Sequence, residues 1–256
     1  MKLPKLFGLL LVVGCNIGGG AENLAPPNSV SSEVVQVEEV VDGDSFRTIN
    51  SEVRLIGVNA PERDECYGTE SREWLAELVE DKDVEIVPDS IDQFGRILAD
   101  VKVDDISLNR EAVATGHALA VTASDHLDDE DVARQAGLGL WGADICGASG
   151  APPNLVIDDI LFDPPGDDRE ELIVIGNRSE AAIDLAGFQL RDESSVNRYA
   201  FPSYRLAPGG IVTVSTGCDA AANVLNWCTL GPVWNNGGDA VILLDSFGRV
   251  VAFRRY

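Results

Sequence analysis

Three short strings in this sequence hold the residue types that chemistry needs: Val41-Asp42-Gly43-Asp44-Ser45, Arg54-Leu55-Ile56-Gly57-Val58-Asn59-Ala60-Pro61-Glu62 and Asp92-Gln93-Phe94-Gly95-Arg96. Two guanidiniums and a hard cation suit a reaction in which an anion gains further negative charge, as a phosphodiester does on becoming pentacoordinate. Arg54 and Arg96 supply planar forks that match phosphate oxygens. Asp44 offers an oxygen ligand suited to Ca²⁺, and Glu62, just past Pro61, is placed to orient or deprotonate water. Singly, each is ordinary. Asp42-Gly43-Asp44 is a common hairpin turn, a lone strand arginine is usually a surface charge, and Glu62 lies in a solvated cluster with Arg63, Asp64 and Glu65. Only the joint pattern points to chemistry.

The elements that must position these groups are short. Val34, Val35, Val37, Val40 and Val41 read as a strand ended by the Asp42-Gly43-Asp44 turn, and Phe46 to Ile49 and Val53 to Val58 read as two more. Val84 with Ile86, and Ile97 to Val103, alternate apolar with polar on either side of a turn at Gln93 to Gly95. Thr69 is a candidate cap for a helix with Trp74, Leu75, Leu78 and Val79 on one face. Ser107 and Asp128 are candidate caps for two further helices, stopped at Gly116 and Gly137. Five strands with helices predict a small closed barrel.

In order and spacing, the three strings resemble the staphylococcal-nuclease (thermonuclease) family, as do Leu108 to Gly116 and Gly139-Leu140-Trp141 further on. The resemblance implies an OB-type five-stranded barrel that hydrolyses phosphodiesters with Ca²⁺. By position it assigns Asp44, Asn59 and the Ala60 carbonyl to the metal, Glu62 to the base, and Arg54 and Arg96 to the phosphate. One position departs. Where the family pattern usually has a second carboxylate, this sequence has Asn59, so the site loses a formal charge while keeping an oxygen able to coordinate.

After Pro152-Pro153 the pattern changes to short strands separated by Gly, Pro and Asp turns: 155–160, 171–176, 183–190, 211–215, 240–244 and 249–253. This predicts an all-β sandwich. Ile183 to Asp192, Leu206 to Gly209 and Trp234 to Asp239 resemble the lamin-tail domain, which implies an immunoglobulin-like fold. No nucleophile, base and metal set occurs there, so this half reads as a binding or spacing module. The expected organisation is a signal peptide at 1–14, a tether at 15–32, the nuclease-like domain at 33–147, a linker at 148–153 and the lamin-tail domain at 154–256.

The opening supports export. Met1 to Lys5 is basic, Leu6 to Val13 is apolar, and Val12-Val13-Gly14-Cys15 resembles a lipobox, implying lipid on Cys15 and a membrane anchor at the cell envelope. No run approaches the ~20 apolar residues of a spanning helix. Export favours disulfides, with Cys66–Cys146 and Cys218–Cys228 the expected pairs.

Of the 256 residues, 43 are Asp or Glu and 19 are Lys or Arg. Residues 33–150 carry net −19 and residues 151–256 net −6, opposite to the basic footprint of most nucleic-acid binders. With two histidines, no HExxH and no CxxC, the common zinc sites are excluded, and no lysine follows a glycine as a P-loop requires. The expectation is an exported, lipid-anchored, monomeric Ca²⁺-dependent nuclease acting on DNA or RNA. The alternative is a surface binding protein that keeps the nuclease fold with little or no catalysis.

Overall fold

The valine-rich run after residue 32 forms two strands, β1 (Glu33–Gln36) and β2 (Glu39–Asp42), bent at Val37 and Glu38. The computed structural model describes residues 31–166, 170–194, 196–219 and 221–256. The expected signal peptide, Cys15 with its expected lipid, and all but the end of the expected tether lie outside the described residues. β3 (Ser45–Arg47), β4 (Glu52–Leu55), β5 (Val58–Asn59), α1 (Gly68–Val79), β6 (Asp83–Ile91), β7 (Ile97–Val103), β8 (Ile106–Ser107), α2 (Leu108–Ala114), β9 (Leu119–Ala120) and α3 (Leu127–Ala136) follow.

The main sheet runs β1-β6-β7-β4-β3-β2, with β8 paired to β7. Its two ends are the halves of the bent strand. Val37 N–H donates to Lys82 O at 3.0 Å on one side, and Glu38 N–H to Arg47 O at 2.9 Å on the other. The sheet therefore curls round a core of Val40, Phe46, Val53, Leu55, Val84, Ile86, Ala99 and Val101, all at most 1% exposed. The apolar face of α1 covers that core through Leu75 and Val79, both fully buried.

Two expected caps are corrected. Tyr67, at φ 69°, precedes α1 without a side-chain cap, and Gly68 rather than Thr69 opens the helix. Gly68 starts it early because a Cβ there would lie 1.8 Å from the Glu62 carbonyl oxygen, a closeness only glycine permits. His126 precedes α3, and Asp128 sits in its first turn with Asp129 and Glu130, where the helix dipole favours acids. Ser107 caps α2, its hydroxyl accepting from Arg110 N–H at 3.4 Å, and Gly137 ends α3 in the left-handed region.

His117 packs on Trp74, rings stacked 4.8 Å apart, and burial pushes its pKa from 6.5 down to about 4. An unfolded chain then binds the proton more readily than the folded one. Stability is full above pH 6.5 and falls as pH drops through 4, by about 2 kcal/mol after allowing for partial exposure. His117→Phe keeps the stack and removes the titration, so its loss of stability between pH 7 and pH 4 should be smaller than that of wild type in denaturant melts. Equal losses would show that His117 does not contribute.

The second half contains β10 (Leu155–Leu161), β11 (Leu172–Asn177), β12 (Ile183–Asp184), β13 (Gln189–Arg191), β14 (Arg198–Ala200), β15 (Arg205–Leu206), β16 (Ile211–Ser215), β17 (Val224–Asn226), β18 (Ala240–Leu244) and β19 (Val250–Arg255). Two four-stranded sheets, β10-β11-β16-β17 and β14-β13-β18-β19, enclose Ile173, Ile175, Leu190, Val241, Leu243 and Trp234. The expected strand 183–190 is broken by Gly187 at φ 82°.

Cys66 and Cys146 form the expected disulfide, Cα to Cα 5.4 Å. Cys218 and Cys228 are both exposed and are not bonded to each other, contrary to expectation. They follow the parallel pair β16 and β17, whose register sets Ser215 against Asn226. Continued, that register sets Gly217, not Cys218, beside Cys228. Residues 31–256 make one compact unit, and a third apolar cluster joins Leu119 and Leu140 to Ala240, Ile242 and Leu244 of the second half.

Candidate active site

Asp44 is 2% exposed. The turn that delivers it packs against α1 and Ala60 so closely that a Cβ on Gly43 would come within 2.5 Å of Ser71 and 2.8 Å of Ala60. Ser45 pairs with Arg54 across β3 and β4, which brings the Arg54 guanidinium onto the Asp44 carboxylate as an ion pair. The other Asp44 oxygen accepts from Ala60 N–H at 2.8 Å. Burial pushes the Asp44 carboxyl up from its ordinary range, against the opposing pull of Arg54.

Arg54 also donates through Nη2 to Asn59 Oδ1 at 2.8 Å and to Val58 O at 3.4 Å. That leaves its Nε and one Nη1 proton for an anion. Asp44, Arg54, Asn59 and Ala60 are thus brought together. Beside them, a 600 Å³ cleft is lined by Arg54, Ile56, Leu98, Asp100, Asn109 and His126.

Arg96 is not in that cluster. Its Nε donates to Asp92 Oδ2 at 2.8 Å, its Nη1 lies 4.0 Å from Glu52, and its guanidinium stands over the exposed Phe94 ring at 5.4 Å. Glu52 is two residues before Arg54 on β4, so Arg96 is held one step along the same strand. Glu62 is exposed, on a turn fixed by Glu65 N–H donating to Glu62 O at 2.9 Å, and its charge bears on Arg191 and Arg198.

The second half reaches this site, which sequence reasoning did not find. Asn59 Nδ2 donates to Glu193 O at 2.8 Å. The Glu193 carboxylate receives Thr122 N–H at 3.1 Å and Arg255 Nη1 at 2.6 Å. Arg255, on the last strand, also holds Glu130 of α3 at 2.8 Å. The bond to Glu193 fixes which way the Asn59 amide points, and a carboxylate at 59 could not donate it.

The donor set of Asp44, Asn59 and the Ala60 carbonyl is all oxygen, which fits a hard cation in type and is thin in charge. Among the described residues, no group of three or more His, Cys, Asp or Glu side chains is arranged to hold a metal.

Comparison with known proteins agrees with this architecture. Residues 52–143 match the family described as Staphylococcal nuclease homologue, and residues 148–256 match the Lamin Tail Domain. An uncharacterized endonuclease of Escherichia coli is 32% identical over 116 residues, 41% of this chain and 75% of that protein. One from Haemophilus influenzae is 30% identical over 115 residues, 41% of this chain and 65% of that protein. The probable staphylococcal-like nuclease CAN2 of Oryza sativa subsp. japonica is 35% identical over 95 residues, 36% of this chain. The match spans 26% of the rice protein's length and just under two thirds of the Haemophilus protein's. With the curled sheet, its helices and the motif residues in these positions, the chain belongs to the staphylococcal nuclease homologue family, and carries a lamin tail domain packed against its nuclease half.

Proposed function

We propose that this protein is an exported, lipid-anchored, Ca²⁺-dependent nuclease that hydrolyses phosphodiester bonds of DNA or RNA. The observation that carries this reading is the cluster of buried Asp44 and Asn59 with half-buried Arg54, beside the Pro61-Glu62 turn. Arg54, held by Asp44 and Asn59, presents its remaining protons to the phosphate and opposes the charge that develops on it. Glu62, exposed on the turn two residues after Ala60, orients water and takes its proton. Arg96 sits one step along the strand, able to exchange Asp92 for a phosphate oxygen. Calcium, held by Asp44, Asn59 and the Ala60 carbonyl, would supply positive charge beside the phosphate.

The deciding experiment incubates protein lacking residues 1–32 with plasmid, single-stranded DNA and RNA, in Ca²⁺ or in chelator. Cleavage that chelator abolishes is the expected result. Binding without cleavage in either condition would favour the alternative, for which the tie of Asn59 to Glu193 and of Arg54 to Asp44 is the supporting observation.

Anchoring at the cell envelope rests on the basic opening, the apolar run and the cysteine at its end. No described helix is long and apolar enough to cross a membrane. A Cys15→Ser variant should shift from the membrane fraction to the soluble exported fraction. Unchanged membrane fractionation would rule out lipid on Cys15.

A further inference from the structure

Arg191 is 4% exposed, yet among the described residues it has no carboxylate within ion-pair distance. Its Nη1 donates only to the Asp192 carbonyl at 3.2 Å, and its Nε has no acceptor. The Asp192 carboxylate turns elsewhere, to Ser194 Oγ at 2.8 Å and Asn197 Nδ2 at 2.7 Å. A buried guanidinium in this condition carries a desolvation cost that the charges of Asp192 and Glu62 offset only in part. The register adds to it. Arg191 lies directly opposite Arg198 in the β13–β14 pair, and like charges at paired positions repel.

Both arginines line a 430 Å³ cavity whose other wall is the turn after Asn59, through Pro61, Glu65 and Cys66. Arg198 pairs there with Glu65. Burial lowers the Arg191 pKa to about 10, so it stays charged at neutral pH. A buried guanidinium with an unmet Nε, on the wall of a cavity that Asp64 and Glu65 also line, has donors of the type that matches the paired oxygens of a phosphate.

We infer that Arg191 and Arg198 of the lamin tail half form, with this cavity, a subsite for a backbone phosphate of the polynucleotide, adjacent to the one that is cleaved. The inference rests on the nuclease reading above. It also accounts for how a nuclease half of net −19 holds a polyanion: the second half, itself net −6, sets two guanidiniums beside it.

The test uses Arg191→Met, which keeps the stem and removes the charge. Three measurements are made: affinity for a single-stranded oligonucleotide in chelator, thermal stability in phosphate-free buffer, and the stabilisation produced by added inorganic phosphate. The expected result is affinity weaker by about tenfold or more, melting temperature equal to or above that of wild type, and loss of the phosphate effect. Arg198→Gln should weaken oligonucleotide binding in the same direction. Wild-type affinity in Arg191→Met would overturn the inference, as would a fall in melting temperature that accounts for the lost affinity.

Phosphate that stabilises only wild type, with no oligonucleotide binding by either protein, would assign the site to a free anion and overturn the polynucleotide assignment. The phosphate measurement needs no cleavage, so the anion site is read even if wild type fails to hydrolyse nucleic acid in Ca²⁺. That failure would sink the nuclease reading by itself.

Discussion

Replacing Glu62 with glutamine is expected to lower cleavage turnover by about 10²–10⁴-fold, the usual contribution of a positioned general base, while leaving the fold intact. The side chain is exposed, and the turn is held by the Glu62 main chain, its N–H donating to Glu65 Oε2 at 3.2 Å. Glutamine keeps the shape and loses the proton acceptor, so melting temperature should move little. Oligonucleotide affinity in chelator should hold or improve, since a negative charge beside Arg191 and Arg198 is removed. The split between turnover and binding separates a base from a structural acid, which would change stability instead. Equal turnover in wild type and Glu62→Gln would remove Glu62 from the mechanism.

How far the sequence discloses this arrangement depends on the range of each interaction. Strand alternation at 97–103, the serine that caps α2 and the glycine that ends α3 are local, and each is legible in a few residues. Asp44 and Arg54 are ten apart and meet through the β3–β4 hairpin register, set by the turn at Thr48 to Ser51. Asn59 and Glu193 are 134 residues apart, and no periodicity links them. Arg255 reads as a terminal charge until it is found between Glu130 and Glu193. Leu119 and Leu140 look like ordinary core residues, yet they pack against Ala240, Ile242 and Leu244.

Arg191 left no signal: beside the inward-facing Leu190 in a short strand, an arginine fits the alternation of apolar with polar, and the nuclease-half turn through Pro61 and Glu65 that faces it across the cavity lies far away in sequence. The failed Cys218–Cys228 pairing is the opposite case. Proximity in sequence favours it, and a one-residue register offset undoes it. The bend at Val37 and Glu38 is likewise invisible in a run of valines, because it is set by which neighbours each half must meet.

Substituting aspartate for Asn59 should have two opposed consequences. A second carboxylate beside Asp44 adds a hard anionic ligand, and charge count is a main determinant of Ca²⁺ affinity at oxygen sites. Half-saturating Ca²⁺ for cleavage should fall by about ten- to hundredfold, the worth of ~1–3 kcal/mol in a charge-assisted contact. The same change removes the amide donor that Glu193 O accepts at 2.8 Å, setting two oxygens against each other across the junction of the two halves. It also adds charge near Asp44, whose carboxyl burial already pushes up. Arg54, bonded to both positions, relieves only part of this. In chelator the Asn59→Asp protein should therefore be less stable than wild type by about 1–3 kcal/mol, and Ca²⁺ should restore more stability to it than to wild type. Calcium titrations of cleavage and of melting temperature check both arms. Overlapping titrations would show that position 59 is not a ligand position, while equal stability in chelator would show that the bond to Glu193 contributes nothing to holding the lamin tail half against the nuclease half. Both arms moving together would mean that the amide trades metal affinity for the contact that brings Arg191 and Arg198 to the site.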